Sequence, residues 1–227
     1  DDDDDDENDL MKSGTPEENR LYTLRFYDLL DTANEDAFDK LVKLAALVCD
    51  MPISLVSLVD DQRQWFKARV GLEAQETPRE HAFCQHAILQ DDVMLVADAL
   101  EDERFATNPL VTESPNIRFY AGAPLKVANG QNIGTLCVID NKPNTLTSQQ
   151  LDALETIRDT VVSLIEFRQA TEALSKLESL LPMCSWCKSV NDESGSWESL
   201  ADYVARNTPT SHGICPSCSS ALLREGS

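Results

Sequence analysis

Two apolar, β-rich runs, Phe119 to Val127 and Ile133 to Ile139, flank a polar turn around Asn129-Gly130. An Asn-Gly pair accepts the positive φ angles of the tight turns whose twist matches that of paired strands, so this spacing predicts a β-hairpin. Ile53 to Val59 is a further β-rich run, and Asp60-Asp61-Gln62 reads as the turn into another strand, Arg63 to Val70. Val93 to Val96 carries a shorter strand signal.

Helices are expected on either side of these strands. Leu21, Leu24, Leu29 and Leu30 suggest one from Glu17 to Leu30, and Asp31-Thr32 supplies a break and the cap of a second. In that second helix Phe38, Leu41, Val42, Ala45 and Val48 form an apolar stripe that ends near Cys49, ahead of Pro52. Ser148 to Leu181 has no internal Pro or Gly and would form a helix about 50 Å long. Leu151, Leu154, Ile157, Val161 and Leu164 keep steps of three and four and are expected to pack on the domain. The seam then shifts through Phe167 and Ala170 to Leu174, Leu177 and Leu181, which predicts a helical linker or coiled coil over 169–181 and hence a homodimer.

Beyond this helix lie two Cys-x-x-Cys pairs, Cys184/Cys187 and Cys215/Cys218. A two-residue gap lets both sulfurs of one tight turn face a common centre, and two such turns supply the four thiolates of a tetrahedral Zn²⁺ site. His212, three residues before Cys215, is the alternative fourth ligand. The 27 residues between the pairs contain turn formers (Asn191, Asp192, Gly195) and apolar residues at near-helical intervals (Trp197, Leu200, Tyr203, Val204). A small ββα or αβ module over 182–224, stabilised by zinc, is the expectation.

The net charge of −21 argues against nucleic acid as a partner, because phosphate contacts need clustered Lys and Arg. Eight of those charges come from the seven Asp and one Glu in the first ten residues, so 1–16 is expected to be a disordered acidic tail, with Met11-Lys12 reading as a natural start. No apolar run reaches the roughly 18 residues of a membrane span, and no signal peptide is visible. An odd cysteine count without a paired framework points to the cytoplasm.

Residues 17–168 resemble the bacterial GAF sensory domain, in the subgroup found ahead of diguanylate cyclase or histidine kinase modules. The resemblance rests on Asn19-Arg20-Leu21, Leu29-Leu30-Asp31-Thr32, Pro52-Ile53, Val56-Ser57-Leu58-Val59-Asp60, Arg63-Gln64-Trp65-Phe66-Lys67, Glu76-Thr77-Pro78-Arg79 and Phe83-Cys84-Gln85-His86-Ala87-Ile88. It continues through Phe119-Tyr120-Ala121-Gly122-Ala123-Pro124-Leu125 and Ile133-Gly134-Thr135-Leu136-Cys137-Val138-Ile139-Asp140. It implies an α+β fold: an antiparallel sheet flanked by helices, with loops over its other face that enclose a small ligand. The Cys-rich end, through Ser211-His212-Gly213-Ile214-Cys215-Pro216, is similar to a module appended to bacterial sensors and response regulators.

Trp65, Arg79, Cys84, His86 and Phe119 are the candidate ligand-binding residues. Each has a plainer role available: aromatics on strands fill cores, Arg63 and Arg79 pair with carboxylates, and His81, Cys84 and His86 fit a short helix as well as a metal or haem site. Gln85 stands where bilin-binding relatives carry His after the linking Cys. Leu146 and Gln149-Gln150 depart from the cyclic-nucleotide pattern begun by Asn141-Lys142, and Asn116-Ile117-Arg118 brings no thiol for sulfoxide reduction. With no Ser-His-Asp arrangement, phosphate loop or carboxylate pair, the expected function is non-catalytic. A GAF sensor would relay a signal through a dimeric helix to a zinc module and a signalling partner such as a histidine kinase or diguanylate cyclase. The alternative is a redox or metal sensor that uses the four cysteines as its input.

Overall fold

The strand signals resolve into one sheet. The computed structural model of the protein describes residues 14–178, 182–191 and 195–207. In chain order the first elements are α1 (Pro16–Phe26), α2 (Asp36–Cys49), β1 (Ile53–Val59), β2 (Arg63–Val70) and β3 (Glu76–Pro78). A single 3-10 turn, Arg79–His81, leads to α3 (Cys84–Ala87), β4 (Met94–Val96) and α4 (Pro109–Thr112). The predicted hairpin is β5 (Phe119–Lys126) and β6 (Asn132–Asp140), followed by α5 (Ser148–Glu178). The six strands lie in the order β3-β2-β1-β6-β5-β4, every neighbouring pair antiparallel.

Side chains alternate across a strand, so each strand feeds both faces. On one face Val56, Trp65, Ala121, Ala123, Leu136 and Val138 pack against Leu24 of α1, Phe38, Val42 and Ala45 of α2, and Leu154, Ile157, Val161 and Ile165 of α5. Burying each of the larger aliphatic side chains contributes about 1.5–3 kcal/mol. On the other face Leu55, Val59, Phe66, Tyr120, Cys137 and Ile139 meet α3, α4 and the connecting loops through Phe83, Ile88, Phe105, Val111 and Ile117.

Two helix starts differ from expectation. α1 begins at Pro16 because Thr15 closes a capping box, its hydroxyl accepting from the Glu18 amide at 3.3 Å while the Glu18 carboxylate accepts from the Thr15 amide at 2.7 Å. Thr15 and Pro16 therefore belong to the helix and not to the acidic tail, whose residues 1–13 lie outside those described. Asp31-Thr32 does not cap α2, which begins at Asp36. The Thr32 hydroxyl instead donates to the Leu29 carbonyl at 2.7 Å and accepts from Lys67 at 2.7 Å, and both bonds hold the loop open.

The chain divides between Glu172 and Ala173 into two units. The second contains β7 (Val190–Asn191), paired antiparallel with β8 (Trp197–Glu198), and α6 (Leu200–Asn207). Among the described residues no helix is long and apolar enough to cross a membrane.

Candidate ligand-binding site

A cavity of about 490 Å³ opens on the sheet face opposite the long helices. Its floor is Ile53 and Leu55 of β1, Gln64 and Phe66 of β2 and Ile139 of β6, all delivered to that face by strand alternation. Leu72, Ala74, Leu110, Pro115 and Ile117 wall it from the loops and α4. Gly71 makes this enclosure possible: at φ +76° its missing Cβ would stand 2.0 Å from the Pro52 carbonyl oxygen, so only glycine lets the chain turn back against β1 there.

Gln64, Thr77, Glu73 and Ser114 break the apolar lining, and two of their atoms are buried without a partner. Gln64 is 5% exposed and its Oε1 has no hydrogen-bond partner, and the same is true of Thr77 Oγ1. The residues face each other as Cα partners across β2 and β3. Buried polar groups in proteins are generally satisfied, so an unpartnered amide oxygen beside an unpartnered hydroxyl leaves hydrogen-bonding capacity open to a ligand. Among the described lining residues Glu73 is the one ionisable side chain.

A second polar cluster lies buried on the same sheet face. The Cys84 sulfur accepts from the Thr135 hydroxyl at 3.0 Å and the Tyr120 phenol at 3.2 Å. Tyr120 reaches it by lying over Gly122, where a Cβ would come within 2.1 Å of the phenol oxygen. Burial pushes the Cys84 thiol up, but hydrogen bonds with Cys137, Thr135 and Tyr120 outweigh it and bring the thiol down to about 7. The same contact with Cys84, reinforced by burial, raises Cys137. The pair therefore shares its protons unequally, with Cys84 the more acidic thiol.

Of the residues singled out in the sequence, Trp65 and Phe119 are corrected: both belong to the helix-packed core, on the face away from the cavity. Trp65 alternates with Gln64 and Phe66, which take the cavity side, and Phe119 alternates with Tyr120. Arg79 also stands outside the lining, where its guanidinium donates to Glu17 at 2.6 Å and to the Asp60 carbonyl at 3.1 Å. Arg63 likewise pairs with Asp31, Asp60 and Glu76. His81, Cys84 and His86 do not converge. His81 faces Glu80 at 3.6 Å, and His86 lies edge-on to Phe105, its imidazole held below the ordinary value by burial and by Arg104.

Cys184 and Cys187 occupy one tight turn, in which the Cys187 amide donates to the Cys184 sulfur at 3.5 Å. Hydrogen bonds with Ser189, and with Cys184, lower the exposed Cys187 thiol to about 7. Cys215, Cys218 and His212 lie outside the described residues. Among the described residues no three His, Cys, Asp or Glu side chains gather as a metal site.

Sequence reasoning missed Gln64 and Thr77. The available signal was Gln64 itself, a polar residue that shares a strand face with Phe66, but periodicity separates two faces without saying which one loops will roof.

Helices on one sheet face and a loop-walled cavity on the other define a sensor-type signalling domain. The chain belongs to the GAF domain family, which matches residues 34–164. Over 149 residues it is 42% identical to a cyclic di-GMP phosphodiesterase of Pseudomonas aeruginosa, a match covering 65% of this chain and 25% of that protein. The chain thus spans about a quarter of that relative's length. Its fold is similar to the GAF domain of an Acinetobacter phosphoenolpyruvate-protein phosphotransferase, with TM-score 0.51, 18% identity and coverage of 69% of this chain and 96% of the other. The chromophore-binding domain of a bacteriophytochrome from R. palustris gives TM-score 0.50 at 12% identity, covering 67% of this chain and 62% of the other.

Proposed function

We propose that the protein is a non-catalytic cytoplasmic signalling module. Its GAF domain takes up a small ligand and passes the signal along α5, as a dimer, to a zinc-holding four-cysteine unit that engages a signalling enzyme. One observation carries this reading: strands β1, β2 and β6 floor the cavity on one face, and on the other Val56 and Val138 share one buried apolar cluster with Leu154, Ile157 and Val161 of α5. A ligand that spreads or tightens these strands biases the helix behind them. The identity with part of a cyclic di-GMP phosphodiesterase supports an output in second-messenger turnover, with a diguanylate cyclase as the partner; a histidine kinase partner would make the output a phosphoryl transfer instead.

Zinc fits the residues that are described. One tight turn carries Cys184 and Cys187, closed by the Cys187 amide on the Cys184 sulfur; two such turns supply a tetrahedral thiolate site, and Cys215 with Cys218 would complete it. The second reading, a redox or metal sensor, draws on the same turn, since Cys187 is exposed and open to oxidants.

Hydrogen exchange on the full chain, with and without small-molecule extract of its host, tests the relay. Altered protection is expected in 53–77, along α5 and in 182–191. Changes confined to 53–77 would leave a binding domain without a relay.

A further inference from the structure

Resting on the reading of the cavity as a ligand site, we infer that its ligand is a mainly apolar small molecule without negative charge, bearing an N–H or O–H donor read by Gln64 and Thr77. The volume, about 490 Å³, lies within the roughly 300–1,000 Å³ of small-molecule sites. Five aliphatic or aromatic floor and wall residues, Ile53, Leu55, Phe66, Leu110 and Ile139, offer only dispersion and apolar burial, so most of the ligand surface must be apolar.

Negative charge is what the site rejects. A phosphate or carboxylate brought out of water needs a cation or several donors, and Lys, Arg and His are absent from the described lining. Glu73 and the chain's net charge of −21 add repulsion. Specificity therefore falls to the two oxygens without partners. Gln64 Oε1, on a side chain from a residue 5% exposed, accepts only, and Thr77 Oγ1 beside it in register accepts and donates. A ligand N–H or O–H placed between them satisfies atoms that an apolar analogue of the same shape leaves stranded, and this is the situation in which one hydrogen bond discriminates most.

Calorimetric titration of the full chain with four probes tests this: indole, its N–H-free isostere benzofuran, the anion indole-3-carboxylate, and cyclic di-GMP. Indole is expected to bind saturably and about tenfold more tightly than benzofuran, with neither anion binding. In Gln64→Leu and in Thr77→Val the preference for indole over benzofuran should shrink toward unity, while saturable binding of benzofuran shows that the cavity remains folded. Tighter binding of either anion, or a preference unchanged in both variants, overturns the inferred class but leaves a ligand-binding domain. Failure of all four probes, together with native mass spectrometry of host-purified protein that finds no bound molecule, overturns the class and the ligand-binding reading together.

Discussion

The Lys67 ammonium, its side chain wholly buried, lies 2.5 Å from the Glu35 carboxylate. Lys67 occupies the irregularity where β1 and β2 shift register, between the Val56–Ala68 and Ser57–Phe66 pairs, and points to the helix side. There it also donates to Thr32 Oγ1 and, at 2.9 Å, to the Ala33 carbonyl, and sits 5.4 Å from the Phe38 ring centroid. Glu35 in turn accepts from Arg168 of α5 at 3.1 Å, so one carboxylate links the strand that floors the cavity to the helix proposed to carry the signal.

Removing the anion strands the buried Lys67 ammonium, while Arg168 keeps Glu172 at 2.7 Å; replacing the ammonium with a similar hydrophobe strands no charge in the interior. Glu35→Ala is therefore expected to cost about 2–4 kcal/mol, reduced somewhat from a fully buried pair because Glu35 is a third exposed, and Lys67→Met less than about 1.5 kcal/mol. Urea midpoints of the two variants check the order. Lys67→Met costing more would mean that packing of the ammonium stem, and not charge compensation, dominates.

Glu17 sets a pH dependence. A hydrogen bond from Arg20, with Arg79 adding to it against the opposing cost of burial, lowers this carboxyl from 4.5 to about 2. A lowered acid stabilises the folded state above its unfolded value and loses that contribution as pH falls, here between about 4.5 and 2. With 43% of the side chain exposed, solvent screening leaves about 1 kcal/mol of the effect. Denaturant titrations at pH 6 and pH 2.5 should show the gap between wild type and Glu17→Gln closing at the lower pH, and a constant gap would remove Glu17 from the linkage.

Acidity and access separate among the thiols. Cys84 and Cys187 are both lowered to about 7, yet Cys84 is 1% exposed and Cys187 lies at the surface. In metal-free protein, iodoacetamide should alkylate Cys187 within minutes near neutral pH and leave Cys84, Cys137 and Cys49 unmodified until denaturant is added. Peptide mapping reads the sites. Early labelling of Cys84 would require an opening of the sheet face around α3.

The hairpin was legible in the sequence because Asn129-Gly130 is local chemistry, and β1 and β2 because their turn residues punctuate two β-rich runs. The assignment of faces was not. Trp65 carries the larger and more ligand-like side chain, while Gln64 holds the cavity position, and only the packing of α1, α2 and α5 against the Trp65 side decides between them. The start of α2 was misplaced for a related reason: Thr32 has cap chemistry, but Lys67, 35 positions away in sequence, claims its hydroxyl. Long-range partners of this kind leave no periodic trace.

α5 keeps apolar residues outside the first unit's core. Phe167 is 70% exposed and Leu174, two turns later, 56% exposed. If they form the seam of a homodimer, sedimentation at tens of micromolar should give a dimer that Phe167→Glu with Leu174→Glu converts to monomer without lowering the thermal transition of the GAF domain. A monomeric wild type refutes the seam.

The last expectation concerns where each unit's cohesion comes from. The GAF domain buries two apolar layers on either side of a six-stranded sheet and needs no metal for its core. In the second unit Val190 is the buried hydrophobic residue among those described, and residues 182–224 are too few for a conventional apolar core. Zinc held by Cys184, Cys187, Cys215 and Cys218 would supply the missing cohesion, because ligand binding that exists only in the folded state is folding free energy. Anaerobically purified protein is therefore expected to carry one zinc per chain. Chelation, or Cys184→Ser with Cys215→Ser, should unfold residues 182 onward and leave the GAF transition within about 2 °C. Less than half an equivalent of metal would sink the zinc site. A single cooperative collapse of the whole chain on chelation would instead make the cysteine unit part of the sensor's own core, and a relay from one unit to the other would have no separate receiver.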